Sequence, residues 1–129
     1  MKGRRILIVE GEWIVAEDLR EILKKEGYQV EDVARSSEEA IEKAQQIQPD
    51  IILMDVHLHA RDGSSTSELL RTLRESEMRV VFMGATSAEM SAWVRIGCVV
   101  LNKPFTDRDV VKALSDLHRS SFSMELSEN

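Results

Sequence analysis

A few residues in this chain could do chemistry together, because each directly follows or ends an apolar run. Glu10, Gly11 and Glu12 follow Ile6-Leu7-Ile8-Val9, and Asp55 and His57 follow Ile51-Ile52-Leu53-Met54. Gly84, Ala85 and Thr86 follow Val80-Val81-Phe82-Met83, and Lys103 comes two residues after Val99-Val100-Leu101. Clustered carboxylates suit a hard dication such as Mg2+, which takes oxygen ligands. A bound dication would draw a phosphoryl group toward a carboxylate, with Lys103 as a point cation for the remaining charge. On that chemistry Asp55 is a nucleophile that accepts a phosphoryl group. A phosphate-cradling loop would instead offer glycines and main-chain N–H groups, and Glu10 and Glu12 would repel its ligand. The plainer alternative is that these carboxylates cap helices or face water. The residue types alone leave both readings open.

The elements that must position these residues alternate. The four apolar runs do not alternate with polar residues, as expected of strands buried on both faces of a parallel sheet. A fifth, mixed strand over 28–33 suits a sheet edge. Val15, Leu19, Ile22 and Leu23 place an apolar stripe on a helix over about 12–26, closed by Gly27. Ser36 with Glu39 reads as a capping box before Ala40, Ile41, Ala44 and Ile47, in a helix that stops before Pro49. Leu69, Leu70 and Leu73 mark a third helix. The segment 87–96 is a short helix closed by Gly97, and Thr106 with Asp109 caps one more, carrying Val110, Val111, Leu114 and Leu117. Right-handed crossovers then give a three-layer α/β sandwich. In such sheets ligands bind at the carboxyl ends of the strands, where the residues above gather.

The 129 residues, 43% hydrophobic and 31% charged, fit one domain. Acidic residues outnumber basic ones 23 to 17, a net charge of −6, which argues against a general nucleic-acid binder. One cysteine, Cys98, excludes an intrachain disulfide and points to a reducing, cytoplasmic setting. No apolar run approaches the roughly 18 residues of a membrane span, and the N-terminus does not read as a signal peptide. The polar tail 120–129 has only Phe122, Met124 and Leu126 as apolar anchors.

Five motifs, in order, make the chain resemble the receiver domain of two-component response regulators. They are Arg5-Ile6-Leu7-Ile8-Val9-Glu10, Gly27-Tyr28, Pro49-Asp50-Ile51-Ile52-Leu53-Met54-Asp55, Asp62-Gly63 and Lys103-Pro104-Phe105, over roughly residues 4–118. The resemblance implies a flavodoxin-like, doubly wound, five-stranded parallel sheet, (βα)5, over 1–119, followed by the tail. It implies that Asp55 is the phosphoacceptor and that Lys103 contacts the phosphoryl group, with a Lys103–Pro104 bond that is often cis. It implies a Mg2+ site made by Glu10, Asp55 and the main-chain carbonyl of His57. It also implies a histidine kinase or phosphotransfer protein as donor, and output through the surface around the last strand and the helix before it.

The departures from that pattern are specific. Gly11 stands at the second acidic position, and losing that ligand weakens Mg2+ binding by about 10- to 100-fold. Gly84 stands where the family has threonine or serine, with Thr86 a substitute only if the strand runs on. Val100 replaces the aromatic of the last strand, and the segment between Gly84 and Lys103 is short. Among the remaining residues, His57 and His59 read as loop histidines rather than a zinc or nickel site. Trp13 stands beside the acidic rim. Trp93 is an interface anchor if exposed, and a core residue otherwise. Cys98 is expected to be buried and inert.

Two functions follow. The first is a stand-alone receiver in phosphorelay signalling, not an enzyme, with output through a downstream protein, homodimerisation or further domains. The second is a pseudo-receiver, a phosphorylation-independent interaction module on the same fold. A flavodoxin-type cofactor binder is disfavoured, because flavin phosphate would meet Glu10 and Glu12.

Overall fold

A computed structural model describes residues 4–58 and 78–119 of the chain. Five strands, β1 (Arg5–Val9), β2 (Gln29–Ala34), β3 (Ile51–Asp55), β4 (Arg79–Gly84) and β5 (Val99–Asn102), form one sheet. Its order is β2-β1-β3-β4-β5, and every pairing is parallel. The described helices are α1 (Trp13–Lys25), α2 (Ser37–Ile47), α3 (Ala88–Arg95) and α4 (Asp107–Arg119). This is the doubly wound α/β sheet expected from the continuous apolar runs. The helix expected at Leu69, Leu70 and Leu73, the Asp62-Gly63 pair, His59 and the tail 120–129 lie outside the described residues.

Alternate residues of the strands feed two apolar layers. Ile6, Ile8, Leu53, Val81, Met83 and Leu101 face α1 and α4, meeting Leu19, Leu23, Val110 and Leu114. Leu7, Val9, Ile52, Met54, Val80 and Phe82 face α2 and α3, meeting Ala40, Ala44 and Met90. That two-sided burial explains why the strand sequences show no polar alternation.

Local signals set the ends of the elements. Gly27 takes φ +83° after α1 and Gly97 takes φ +91° after α3, a region that disfavours side chains with a Cβ. Ser36 Oγ accepts from Glu39 N at 3.1 Å. The Thr106–Asp109 box is reciprocal, with Asp109 N donating to Thr106 Oγ1 at 3.1 Å and Thr106 N donating to Asp109 Oδ2 at 2.9 Å. The last carbonyls of α2 are met from another element: Arg5 donates to Ile47 O at 2.7 Å and Gln48 O at 2.9 Å.

Two expectations need correction and one is decided. β2 is an edge strand, but it runs one residue later than 28–33, and a register irregularity between Ile6 and Leu7 accompanies it. Of the two readings of Trp93, the core one holds. The side chain stacks on Phe82 with ring centroids 4.3 Å apart and packs against the α2–α3 side of the core. The exposed apolar residues at that end are Val94 and Ile96. Cys98 is half-buried rather than buried, although burial still pushes its thiol up to about 11.

Candidate functional site

The carboxyl ends of β1, β3, β4 and β5 bring Glu10, Asp55, Gly84 and Lys103 to one rim. Glu10 is fully buried, and its main-chain N–H donates to Ala34 O at 2.9 Å, which ties it to the end of β2. One carboxylate oxygen, Oε1, accepts from Lys103 Nζ at 2.5 Å. The other, Oε2, accepts from the main-chain N–H of Glu12 at 3.1 Å. Lys103 is set by β5, its own N–H donating to Gly84 O at 2.8 Å, and its bond to Pro104 is cis.

Asp55 ends β3, and its side chain is nearly buried, 12% exposed. Oδ1 accepts from His57 N at 2.9 Å, and Oδ2 stands 3.5 Å from Lys103 Nζ. Lys103 therefore bridges two carboxylates, holding Glu10 closely and Asp55 loosely. Burial pushes the Glu10 carboxyl above the usual carboxylate range, partly offset by the Lys103 and Glu12 hydrogen bonds. For Lys103, burial disfavours the charge. The Glu10 bond and the charges of Glu10 and Asp55 outweigh it and hold the ammonium above the ordinary lysine value.

The other sequence-singled residues separate into near and far. Gly11 is exposed, and a Cβ there would meet nothing closer than 3.9 Å, from Arg35 O and Leu58 Cδ1. Its carbonyl accepts from Arg35 Nη2 at 3.0 Å, a contact the sequence reading missed. Glu12 is exposed and sits at the N-cap of α1 without a side-chain capping bond. β4 stops at Gly84 and Thr86 is exposed, so the alternation needed to bring its hydroxyl onto the Gly84 face does not continue. Val100 is half-buried in β5 and packs with Trp93 and Cys98 against the α2–α3 side of the core. His57 enters through its main chain while its side chain is exposed.

Sequence reasoning also missed Val56. A Cβ built on Gly84 would lie 2.7 Å from Val56 Cγ2, closer than real Cβ contacts come. Val56 is buried, and its N–H donates to Met83 O at 2.9 Å. The signal was present: β3 pairs with β4 at Asp55↔Met83, and one step further along that register sets Val56 beside Gly84.

Among the described residues no three His, Cys, Asp or Glu side chains group as metal ligands. The oxygen donors Glu10, Asp55 and the His57 carbonyl are right in kind for Mg2+ but one carboxylate short, and Glu10 has both oxygens engaged. Among the described residues, no helix is long and apolar enough to cross a membrane.

Comparison with known proteins agrees with this geometry. The family model for the response regulator receiver domain matches residues 6–115. The transcriptional regulatory protein PdtaR of Mycobacterium tuberculosis is 33% identical over 113 residues, covering 86% of this chain and 55% of PdtaR, so the chain spans about half the length of that relative. The chemotaxis protein CheY of Thermotoga maritima is 28% identical over 119 residues, covering 91% of this chain and 99% of CheY. The solution structure of BeF3-activated SdrG from Pseudomonas melonis superposes with a TM-score of 0.74 at 27% identity, covering 91% of this chain and 98% of SdrG. With its sheet order, its rim and its sequence all in agreement, the chain belongs to the response regulator receiver domains.

Proposed function

We propose that this chain works as a phosphoacceptor in a phosphorelay, with Asp55 taking a phosphoryl group from a histidine kinase or phosphotransfer protein in a cytoplasmic signalling pathway. The observation that carries this reading is the pairing at the rim, where Lys103 Nζ stands 3.5 Å from Asp55 Oδ2 while the His57 N–H holds Oδ1. Asp55 Oδ2 attacks phosphorus as the P–N bond to the donor histidine breaks, and the departing imidazole takes up a proton. The His57 N–H fixes the carboxylate's orientation, and Lys103 meets the negative charge of the incoming oxygens. Mg2+ would be held by Glu10, Asp55 and the His57 carbonyl, weakly for want of a carboxylate at Gly11, and would supply further charge neutralisation. The chain acts as a signalling switch rather than an enzyme, passing its state to a downstream protein or to a second copy of itself.

The test is intact mass after incubation with Mg2+ and a phosphoramidate donor. A base-labile, hydroxylamine-sensitive adduct is expected on the native chain and none on Asp55→Asn. No adduct on the native chain at high Mg2+ would overturn the reading. The pseudo-receiver is the second reading. It is favoured by the engagement of both Glu10 oxygens and by the Val56 side chain filling the place of a β4 side chain. Under it, Asp55→Asn leaves signalling in cells unchanged, whereas the first reading expects loss.

A further inference from the structure

Receivers of the pattern this chain resembles carry a hydroxyl-bearing residue at the end of β4, and this chain has a glycine there with something in its place. The Gly84 surface is lined by Val56 Cγ2, by Met90 Sδ at 3.5 Å from the built Cβ, and by His57 Cδ2 at 3.8 Å. Val56 belongs to the turn that follows Asp55 and Met90 to α3, and both are buried in one apolar cluster with Phe82. Trp93, three residues after Met90 and so on the same side of α3, stacks on Phe82 and packs against that cluster with Val100. The acceptor turn is thus joined to α3 by packed side chains, with no hydroxyl between them. The same turn carries the His57 N–H that holds Asp55 Oδ1. Val56 is the residue between Asp55 and His57, and its Cγ2 stands where a Cβ on Gly84 would have to be.

We propose that Val56 is a positioning residue that couples the acceptor turn to α3 by steric contact across Gly84, in place of the hydroxyl and the β5 aromatic this chain lacks. The proposal rests on the phosphoacceptor reading for its functional half. Its steric half stands on the Gly84 contact alone. Close packing makes such a unit shift as a whole rather than deform.

The first experiment is a stability cycle on the full chain with Gly84→Ala, Val56→Ala and the double variant. Gly84→Ala adds only the clashing Cβ and is expected to lower Tm by about 4 °C or more. In the Val56→Ala background, where Cγ2 is gone, the same change is expected to leave Tm the same or higher. Equal Tm effects of Gly84→Ala in both backgrounds would overturn the proposal.

The second experiment uses Trp13→Phe chains, so that Trp93 is the only tryptophan, with BeF3− and Mg2+ as the probe. The His57 amide proton shift reports on the acceptor turn and Trp93 emission on α3. Both are expected to respond in the otherwise native chain. In Val56→Ala the His57 shift is expected to respond still, with the Trp93 change reduced at least about threefold. A full Trp93 response in Val56→Ala would sink the coupling. A native chain with no His57 response would instead count against Asp55 as acceptor, and the stability cycle would still decide the steric half.

Discussion

Gly11→Asp is the substitution with the clearest expected magnitude. A Cβ at this exposed position meets nothing closer than 3.9 Å, and the backbone there is not in the left-handed region, so the side chain enters without strain. It adds a third carboxylate next to Glu10. Restoring one oxygen ligand should tighten Mg2+ binding about 10- to 100-fold, equivalent to about 1.4 to 2.8 kcal/mol. Without metal the new charge is unwelcome, because Lys103 already serves both Glu10 and Asp55. Arg35, whose guanidinium bonds the Gly11 carbonyl, is placed to soften that cost. The assay is thermal unfolding against Mg2+ concentration. At a concentration equal to the native Kd the native chain gains about 0.4 kcal/mol from binding, and a variant bound tenfold tighter gains about 1.4 kcal/mol. That difference of about 1 kcal/mol raises Tm by several degrees more in the variant. Calorimetric Kd values within threefold of each other would refute the claim that position 11 limits the site.

Four further expectations follow from the structure. Lys103→Met leaves Glu10 buried without its cation and should destabilise by about 3 kcal/mol at neutral pH. The Glu10 carboxyl already stands above its ordinary value, so the folded chain binds its proton more tightly than the unfolded one does. The loss should therefore shrink as pH falls and Glu10 takes up its proton, measured by urea unfolding. In the native chain, the raised Lys103 value means that its contribution is fully present below the ordinary 10.5. That contribution is lost as pH climbs through the folded value, which an alkaline unfolding titration would detect. With its thiol near 11 rather than 9.0, Cys98 should be alkylated about 100-fold more slowly than a free thiol near pH 8, followed by mass spectrometry. Thr106→Ala removes half of the reciprocal box at α4 and should cost about 1 kcal/mol, seen as a lower Tm.

The sheet was legible because burial on both faces removes polar residues from β1, β3 and β4, and their runs stand out without any structural help. The helix ends were legible for a local reason: Ser36, Thr106, Gly27 and Gly97 act on neighbours within a few residues. The edge strand β2 was placed one residue early because its sequence is mixed and its register with β1 is irregular. Trp93 could be read two ways, since a helix of eight residues gives too little periodicity to say which side faces the sheet. The rim itself was legible by position, as the ends of β1, β3, β4 and β5 each contribute a residue. The partner of each charge was not, because Glu10 and Lys103 meet across 93 residues of chain.

The departures at the rim make physical sense together. Glu10 and Asp55 carry two negative charges against the one positive charge of Lys103. A third carboxylate at position 11 would leave two charges uncompensated on a rim where Glu10 is already fully buried, an arrangement that favours a bound dication. With Gly11 there, Lys103 alone brings the site within one charge of neutrality, and it does so by sitting closer to Glu10 than to Asp55. Asp55 is then the carboxylate that Lys103 holds less closely, which is what the phosphoacceptor reading proposed above asks of it. Gly84 fits the same picture from the other side. A β4 side chain would need the volume that Val56 occupies, and Val56 belongs to the turn whose next N–H holds Asp55. With the His57 N–H on Asp55 and Val56 packed against Gly84, β4 has no place for a hydroxyl-bearing side chain, whereas at Gly11 the space is open and the difference is one of charge.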